Sequence, residues 1–312
     1  PDCSSSVVIP VNVIYPGLEI GGFVLERPLG KGGMGEVWLA HHTAMERKVA
    51  FKMLSPEFTH DPEFVDRFFR EVRNSAKLEH PNIVTAFDAG TDKGFYFLAM
   101  TYVDGIDLDT RISHDKSIPE EEALRIVRDI AKALDYAWNE FKLLHCDIKP
   151  SNIMIDGRRK VRLMDMGLSK CVSGDSSLTM AGGGIMGTPH YISPEQARGG
   201  KNIDFRSDVY SLGATFYHIV TGYTPYNAET PMGIVTQHIT DPLISANKRN
   251  LSVSVPCSVL IDIMMAKNPD DRGKSWNEVI KYIHAAIAGK LPRKQAVTPK
   301  AVPGTQASEQ RS

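Results

Sequence analysis

Apolar positions near the start of the chain come in short runs with a strand-like period, and further on they recur at helical spacing. Phe23-Val24-Leu25 and Val37-Trp38-Leu39 are β-type runs parted by a glycine cluster, which predicts an antiparallel start from about residue 23. A helix is predicted from Asp61. Asp61 suits the N-cap, Pro62 the first helical position and Glu63 the positive dipole end, and Phe64, Val65, Phe68, Phe69, Val72 and Ala76 form the apolar stripe. Strand-like runs follow around Ile83-Val84 and over 95–100. After Asp104-Gly105 the pattern turns helical. Ser117 with Glu120 has capping-box spacing, and Leu124, Val127, Ile130, Ala131 and Leu134 mark one buried face. Ser275 with Glu278 opens a terminal helix. Residues 1–22 read as a mobile leader and 287–312 as a polar tail or linker. The pattern predicts an α+β, two-lobed fold: a β-rich lobe over 23–103, a helical lobe over 104–286, and a cleft near 100–106.

Composition narrows the function classes. A chain of 312 residues can form two lobes, and its formal net charge of −1 gives no field that would draw nucleic acid. No apolar run reaches the roughly 18–20 residues of a membrane helix. The apolar stretch 7–14 is interrupted by Pro10 and lacks a basic flank, so it does not read as a signal peptide. Cys3, Cys146, Cys171 and Cys257 show no metal-like spacing and fit a reducing, cytoplasmic compartment.

The candidate chemistry sits in five places. The cluster Gly30-Lys31-Gly32-Gly33-Met34-Gly35-Glu36-Val37 is followed by a strand rather than a helix, so it reads as a hairpin whose glycines either make turns or let backbone N–H groups approach phosphate. Val49-Ala50-Phe51-Lys52 ends an apolar strand on a cation, either an edge charge reaching water or a phosphate ligand. Glu71, beside the stripe of the helix that starts at Asp61, would give Lys52 a carboxylate partner. His145-Cys146-Asp147-Ile148-Lys149-Pro150-Ser151-Asn152 and Asp165-Met166-Gly167 place carboxylates and an amide in polar segments. Singly these are turn residues; together they supply a proton acceptor and oxygen ligands for Mg²⁺.

In this order, these motifs resemble the signature set of protein kinases. Gly187-Thr188-Pro189-His190-Tyr191-Ile192-Ser193-Pro194-Glu195, Asp208 and Arg272 continue the pattern, and the phrasing is most similar to bacterial Hanks-type serine/threonine kinases across roughly 23–286. The resemblance implies an ATP-dependent kinase acting on protein serine or threonine. Leu29 and residues 30–37 (Gly30, Lys31, Gly32, Gly33, Met34, Gly35, Glu36 and Val37) would cover the ATP phosphates, with Val37 and Ala50 on the adenine. Lys52 would touch the α/β-phosphates and pair with Glu71. Met100 would be the gatekeeper, and the backbone of Tyr102 and Val103 would meet the adenine edge. Asp147 would be the catalytic aspartate, Lys149 would neutralise the transferred phosphoryl and Thr188 would bridge those two. Asn152 and Asp165 would hold Mg²⁺, with Mn²⁺ a substitute. Glu195 and Arg272 would form a buried ion pair, and Asp208 would tether the catalytic loop.

Three departures from the family pattern stand out. Cys146 replaces the common arginine before the catalytic aspartate, and 181–186 carries no hydroxyl where bacterial relatives often carry phosphorylatable threonine. Both predict activity without phosphorylation of Ser173, Ser176, Ser177 or Thr179, the competing reading being a phosphate received by Lys170 instead. Met166 replaces the phenylalanine of the metal-binding motif and predicts looser shape control. The competing class is a pseudokinase scaffold, which the presence of Lys52, Glu71, Asp147, Asn152 and Asp165 argues against. His80 and His145 read as structural. The expected partners are ATP and protein substrates, with a dimer left open. The expected location is the cytoplasm, or the cytoplasmic part of a membrane-anchored protein with a membrane or sensor domain elsewhere.

Overall fold

The computed structural model describes residues 13–32, 35–166, 180–181, 184–185, 189–200 and 203–292. Strands β1 (Glu19–Ile20), β2 (Phe23–Gly32), β3 (Gly35–His42), β4 (Arg47–Leu54), β5 (Ala86–Asp92) and β6 (Phe95–Thr101) form one antiparallel sheet in the order β1-β2-β3-β4-β6-β5. Directly paired residues share a face of the sheet. The register puts Phe51 opposite Trp38 and Ala99, and this face buries Phe23, Phe51 and Phe97 with ring centroids 4.8–5.9 Å apart. Ile20, fully buried, joins this cluster. The sheet therefore begins at Glu19, inside the stretch read as a leader: an isoleucine three residues before Phe23 closes the lobe's apolar layer.

The opposite face carries Ala50, Lys52, Leu98 and Met100 through the pairs Ala50↔Met100 and Lys52↔Leu98. Against it packs α2 (Pro62–Ser75), which follows the single turn α1 (Pro56–Thr59). The Asp61 side chain caps α2 by accepting from the Glu63 N–H at 2.9 Å, and the apolar stripe turns toward the sheet, burying Phe64, Phe68 and Val72. The predicted strand at Ile83-Val84 is a single parallel bridge, Ile83↔Leu163, from the segment before β5 to the second lobe.

The second lobe begins with β7 (Gly105–Asp107), α3 (Leu108–Asp115) and α4 (Glu120–Phe141). β8 (Ile153–Asp156) and β9 (Val161–Leu163) join β7 in a three-stranded sheet. Then come α5 (Pro194–Ala197), α6 (Phe205–Thr221), α7 (Pro231–Thr240), α8 (Ala246–Arg249), α9 (Val255–Met264) and α10 (Trp276–Ile287). α6 is buried on nearly every side, as a helix at the centre of a lobe must be, and shares its core with α4, α9 and α10.

Ser117 does not cap α4. The N-cap is Pro119, and Glu120 instead accepts from the Ser254 N–H at 2.6 Å and the Ser254 hydroxyl at 2.7 Å. The spacing is that of a capping box, but the carboxylate secures the start of α9. Ser275 does cap α10, accepting from the Glu278 N–H at 3.3 Å, while the Glu278 carboxylate turns to the Lys274 N–H at 2.7 Å.

Lys267 is half-buried beneath α7, donating to the Tyr226 hydroxyl (2.9 Å) and the carbonyls of Gln237 (3.1 Å) and His238 (2.7 Å). Burial pushes its ammonium down from 10.5 to about 8, against the opposing pull of Asp241. The folded chain thus releases this proton before the unfolded chain does. Its contribution to stability must rise with pH between about 8 and about 10.5. Urea titrations of wild type and Lys267→Met across that window should differ in slope, with the wild type gaining relative to the variant. Parallel curves would refute the assignment.

Candidate active site

The glycine hairpin is built from β2 and β3. Gly30↔Val37, Lys31↔Glu36 and Gly32↔Gly35 face each other, and Lys31 and Glu36 form an exposed ion pair at 3.2 Å. Gly33 and Met34 lie outside the described residues. The glycines are not equivalent. Gly35 has φ 148°, and a Cβ there would fall 1.8 Å from the Met53 carbonyl oxygen, so the fold itself requires glycine. A Cβ at Gly30 or Gly32 would meet no protein atom within 4 Å. Among the described residues, packing does not demand glycine at these two positions.

Beneath the hairpin, Val37 and Ala50 are half-buried, Met100 and Val103 buried, Tyr102 half-buried and Leu29 38% exposed. The register puts Val37, Ala50 and Met100 on the sheet face that carries Lys52. Lys52 is only 6% exposed, and a buried ammonium needs a carboxylate. Asp165 supplies one: its Oδ2 accepts from Lys52 Nζ at 2.8 Å across the seam between the lobes. Glu71, expected from the sequence as the partner of Lys52, lies half-buried on α2, three residues after Phe68.

Asp165 follows β9 in a left-handed conformation, φ 54°, which aspartate tolerates better than most residues. Burial would raise its carboxyl pKa, but the charge and hydrogen bond of Lys52 outweigh that, and His145 and Lys149 add to them, so it stays below the usual carboxylate range. Met166 beside it is 4% exposed and part of the larger lobe's core, so the flexible thioether fills an apolar pocket there. Gly167 lies outside the described residues, as do Lys170, Cys171, Ser173, Ser176, Ser177, Thr179 and Thr188.

The loop from His145 to Asn152 is held from several sides. Asp208, on α6, accepts from the N–H groups of His145 and Cys146, both at 2.8 Å, which is the tether expected of it. His145 is fully buried: its Nε2 lies 2.8 Å from the Met164 carbonyl and its Nδ1 accepts the Asp147 N–H at 3.2 Å, so the ring is structural. Asn152 donates its amide to the Asp147 carbonyl (2.8 Å) and to Asp147 Oδ2 (3.0 Å), leaving its oxygen as the end available to a cation. Lys149 Nζ contacts Asp147 Oδ2 at 2.8 Å, with 43% of the Asp147 side chain still open to solvent. Lys52, Asp147, Lys149, Asn152 and Asp165 thus form one polar group between the lobes.

Glu195 and Arg272 form the expected ion pair, with Nη1–Oε1 at 2.6 Å and Nη2–Oε2 at 2.8 Å, and Arg272 is fully buried. Sequence reading missed Gln196. Its spacing from Ser193 is the capping-box signature, and the box is present, but its amide nitrogen reaches back to the Cys146 carbonyl at 3.1 Å. Nothing local to either residue signals that contact across 50 positions.

The family model described as protein kinase domain matches residues 23–283. Serine/threonine-protein kinase PknB of Mycobacterium leprae (strain TN) is 37% identical over 268 residues, covering 85% of this chain and 43% of that protein. Serine/threonine-protein kinase PrkC of Bacillus subtilis (strain 168) is 35% identical over 276 residues, covering 88% of this chain and 42% of that protein. The chain spans less than half the length of these relatives. Among solved structures, the Mycobacterium tuberculosis PknI kinase domain superposes with a TM-score of 0.69 at 30% identity, covering 88% of this chain and 99% of that one.

Proposed function

The chain belongs to the protein kinase domain family, in its bacterial Hanks-type serine/threonine group, and we propose that it transfers the γ-phosphoryl group of ATP to serine and threonine hydroxyls of protein substrates. The carrying observation is the polar group at the seam, where Lys52 meets Asp165 and Asp147 meets both Lys149 and Asn152. Asp147 orients the acceptor hydroxyl and accepts its proton. Lys149 offsets charge on the transferred phosphoryl, and Thr188 shapes the acceptor side. Lys52 turns to the α/β-phosphates with Glu71 as its carboxylate in the nucleotide-bound arrangement. The hairpin 30–37 covers the phosphates through its backbone, Val37 and Ala50 pack on adenine, Met100 limits the pocket's depth, and the backbone of Tyr102 and Val103 meets the adenine edge.

The residues fit a divalent cation. Asp165 is held ionised, and Asn152 is oriented with its oxygen free, two oxygen ligands of the sort Mg²⁺ combines with phosphate oxygens and water. When bound, the cation neutralises charge on the β- and γ-phosphates; Mn²⁺ suits the same oxygen donors. Transfer of γ-labelled phosphate from Mg·ATP to a serine- or threonine-containing protein, lowered at least about 100-fold in Asp147→Asn, tests the reading. A scaffold without turnover would show no transfer in either protein. Among the described residues no helix is long and apolar enough to cross a membrane. We place the domain in the cytoplasm, where ATP is supplied and thiols stay reduced.

Control of this activity departs from the family pattern in our reading. Cys146 offers no cation to receive a loop phosphate, and 181–186 offers no hydroxyl to carry one. Changing Ser173, Ser176, Ser177 and Thr179 together to alanine should leave peptide phosphorylation within about threefold of wild type, since Cys146 stands where the family's arginine would receive a loop phosphate. Collapse of the rate in that variant would overturn this part.

A further inference from the structure

Cys146, immediately before the catalytic aspartate, has φ 65°. A non-glycine residue stays in that region when its neighbours fix the peptide groups on both sides. Its N–H is fixed by Asp208 Oδ1 at 2.8 Å, and its carbonyl accepts from Gln196 Nε2 at 3.1 Å. That carbonyl and the Asp147 N–H belong to one planar peptide unit. Gln196 holds the oxygen edge of the plane, and His145 Nδ1 holds the N–H edge at 3.2 Å. The orientation of this plane sets where the Asp147 Cα–Cβ bond points.

Gln196 is built for the task. It is 9% exposed, and its Oε1 accepts from the Ser193 N–H (3.1 Å) and the Ser193 hydroxyl (2.9 Å), so the nitrogen must face Cys146. The short helix α5 beneath it is anchored in turn. Glu195, one residue before, is bound by Arg272 and by the Ser207 hydroxyl at 2.7 Å. A rigid support, a buried amide of defined orientation and a peptide plane with two edges held make a short chain of contacts ending at Asp147.

We propose that Gln196 is a positioning residue for the reaction: its amide N–H fixes the Cys146–Asp147 peptide plane and so aims the Asp147 carboxylate at the acceptor hydroxyl. The inference rests on the kinase reading above. Gln196→Glu isolates the effect, because it keeps the Oε1 acceptor of the capping box and replaces only the donor that faces Cys146. Ser193→Ala is the control for a merely structural role. It removes the hydroxyl from the same capping box, while the backbone N–H at that position still orients Gln196.

The experiment measures kcat and KM for ATP and for a protein substrate, together with Tm, in wild type and both variants. Displacement of a catalytic group by about 1 Å can cost about 100-fold. Gln196→Glu should therefore lower kcat by about 10- to 100-fold with KM for ATP within about twofold, whereas Ser193→Ala should lower Tm yet keep kcat within about twofold of wild type. A second signature is specific to the hydrogen bond. Protonation of the carboxylate introduced by Gln196→Glu restores a donor toward the Cys146 carbonyl, so the ratio of variant to wild-type kcat should rise as pH falls from about 8 to about 6. If the buried carboxylate prevents folding, Gln196→Met, uncharged and without a donor, should show the same kcat loss and no recovery with acid. An unchanged kcat in the folded Gln196 variants, or an equal loss in Ser193→Ala, overturns the inference while leaving the kinase reading intact. A wild-type chain that transfers no phosphate overturns both.

Discussion

Asp147→Asn should lower peptide phosphorylation by about 10²- to 10⁴-fold, the usual contribution of a positioned acid or base, while Mg·ATP still binds. The substitution is nearly isosteric. Asn152 can still donate to the carbonyl of residue 147, as it does now at 2.8 Å, so the loop keeps its shape. What disappears is the charge that faces Lys149 at 2.8 Å and the oxygen able to accept a hydroxyl proton. In the proposed arrangement nucleotide binding falls to other residues, Lys52, Asp165 and the hairpin, and should change little. The measurement is phosphate transfer in parallel with nucleotide affinity by calorimetry. Equal transfer by wild type and variant would remove Asp147 from its role, and a loss of ATP affinity matching the loss of rate would make the effect one of binding.

Arg272→Met should destabilise the chain by about 3–5 kcal/mol, the cost of leaving one partner of a buried ion pair alone. The five guanidinium N–H groups all have acceptors. Two go to Glu195, and the others go to the carbonyls of Ala266 (2.7 Å), Arg206 (2.8 Å) and Lys267 (3.1 Å). The plane also lies over the Tyr210 ring, 4.8 Å from its centroid. Burial would raise the Glu195 carboxyl pKa, and Arg272 holds it below its ordinary value instead. Removal of the arginine takes these donors from that carboxylate and from three carbonyls. Lysine has three donors and no fork, so Arg272→Lys should recover only part of the loss. Urea denaturation at neutral pH reads the difference, and a loss below about 1 kcal/mol, typical of an exposed pair, would contradict the buried-network reading.

The legibility of the site follows from how its chemistry is encoded. Asp147, Lys149 and Asn152 fall within six consecutive positions, and a loop that short brings its own side chains together. Asp165 follows a β-strand closely enough for its place to be read from the local pattern. Lys52 is legible as a cation on an apolar strand, and the alternating register puts it on the face with Ala50 and Met100. Its partner in this structure, Asp165, lies 113 residues away, and strand periodicity says nothing about which lobe will supply a carboxylate. The capping signals show the same boundary. Asp61 and Ser275 cap the helices they precede, each through a backbone N–H two or three residues on. Ser117 and Glu120 have equally good spacing, yet the Glu120 carboxylate is drawn to Ser254, 134 residues on.

The α+β division into two lobes, the helix and strand faces, and the identity of the polar groups at the seam are all written in the linear pattern. They depend on period, caps and short spacings, which act within a few residues. Folding in three dimensions was needed to establish that Ile20 closes the smaller lobe's core, that Glu120 secures a helix not its own, and that Gln196 grips the peptide before Asp147. Each of those depends on desolvated polar or apolar groups finding partners across the chain. Burial enforces such pairings strongly, and a linear pattern does not record them.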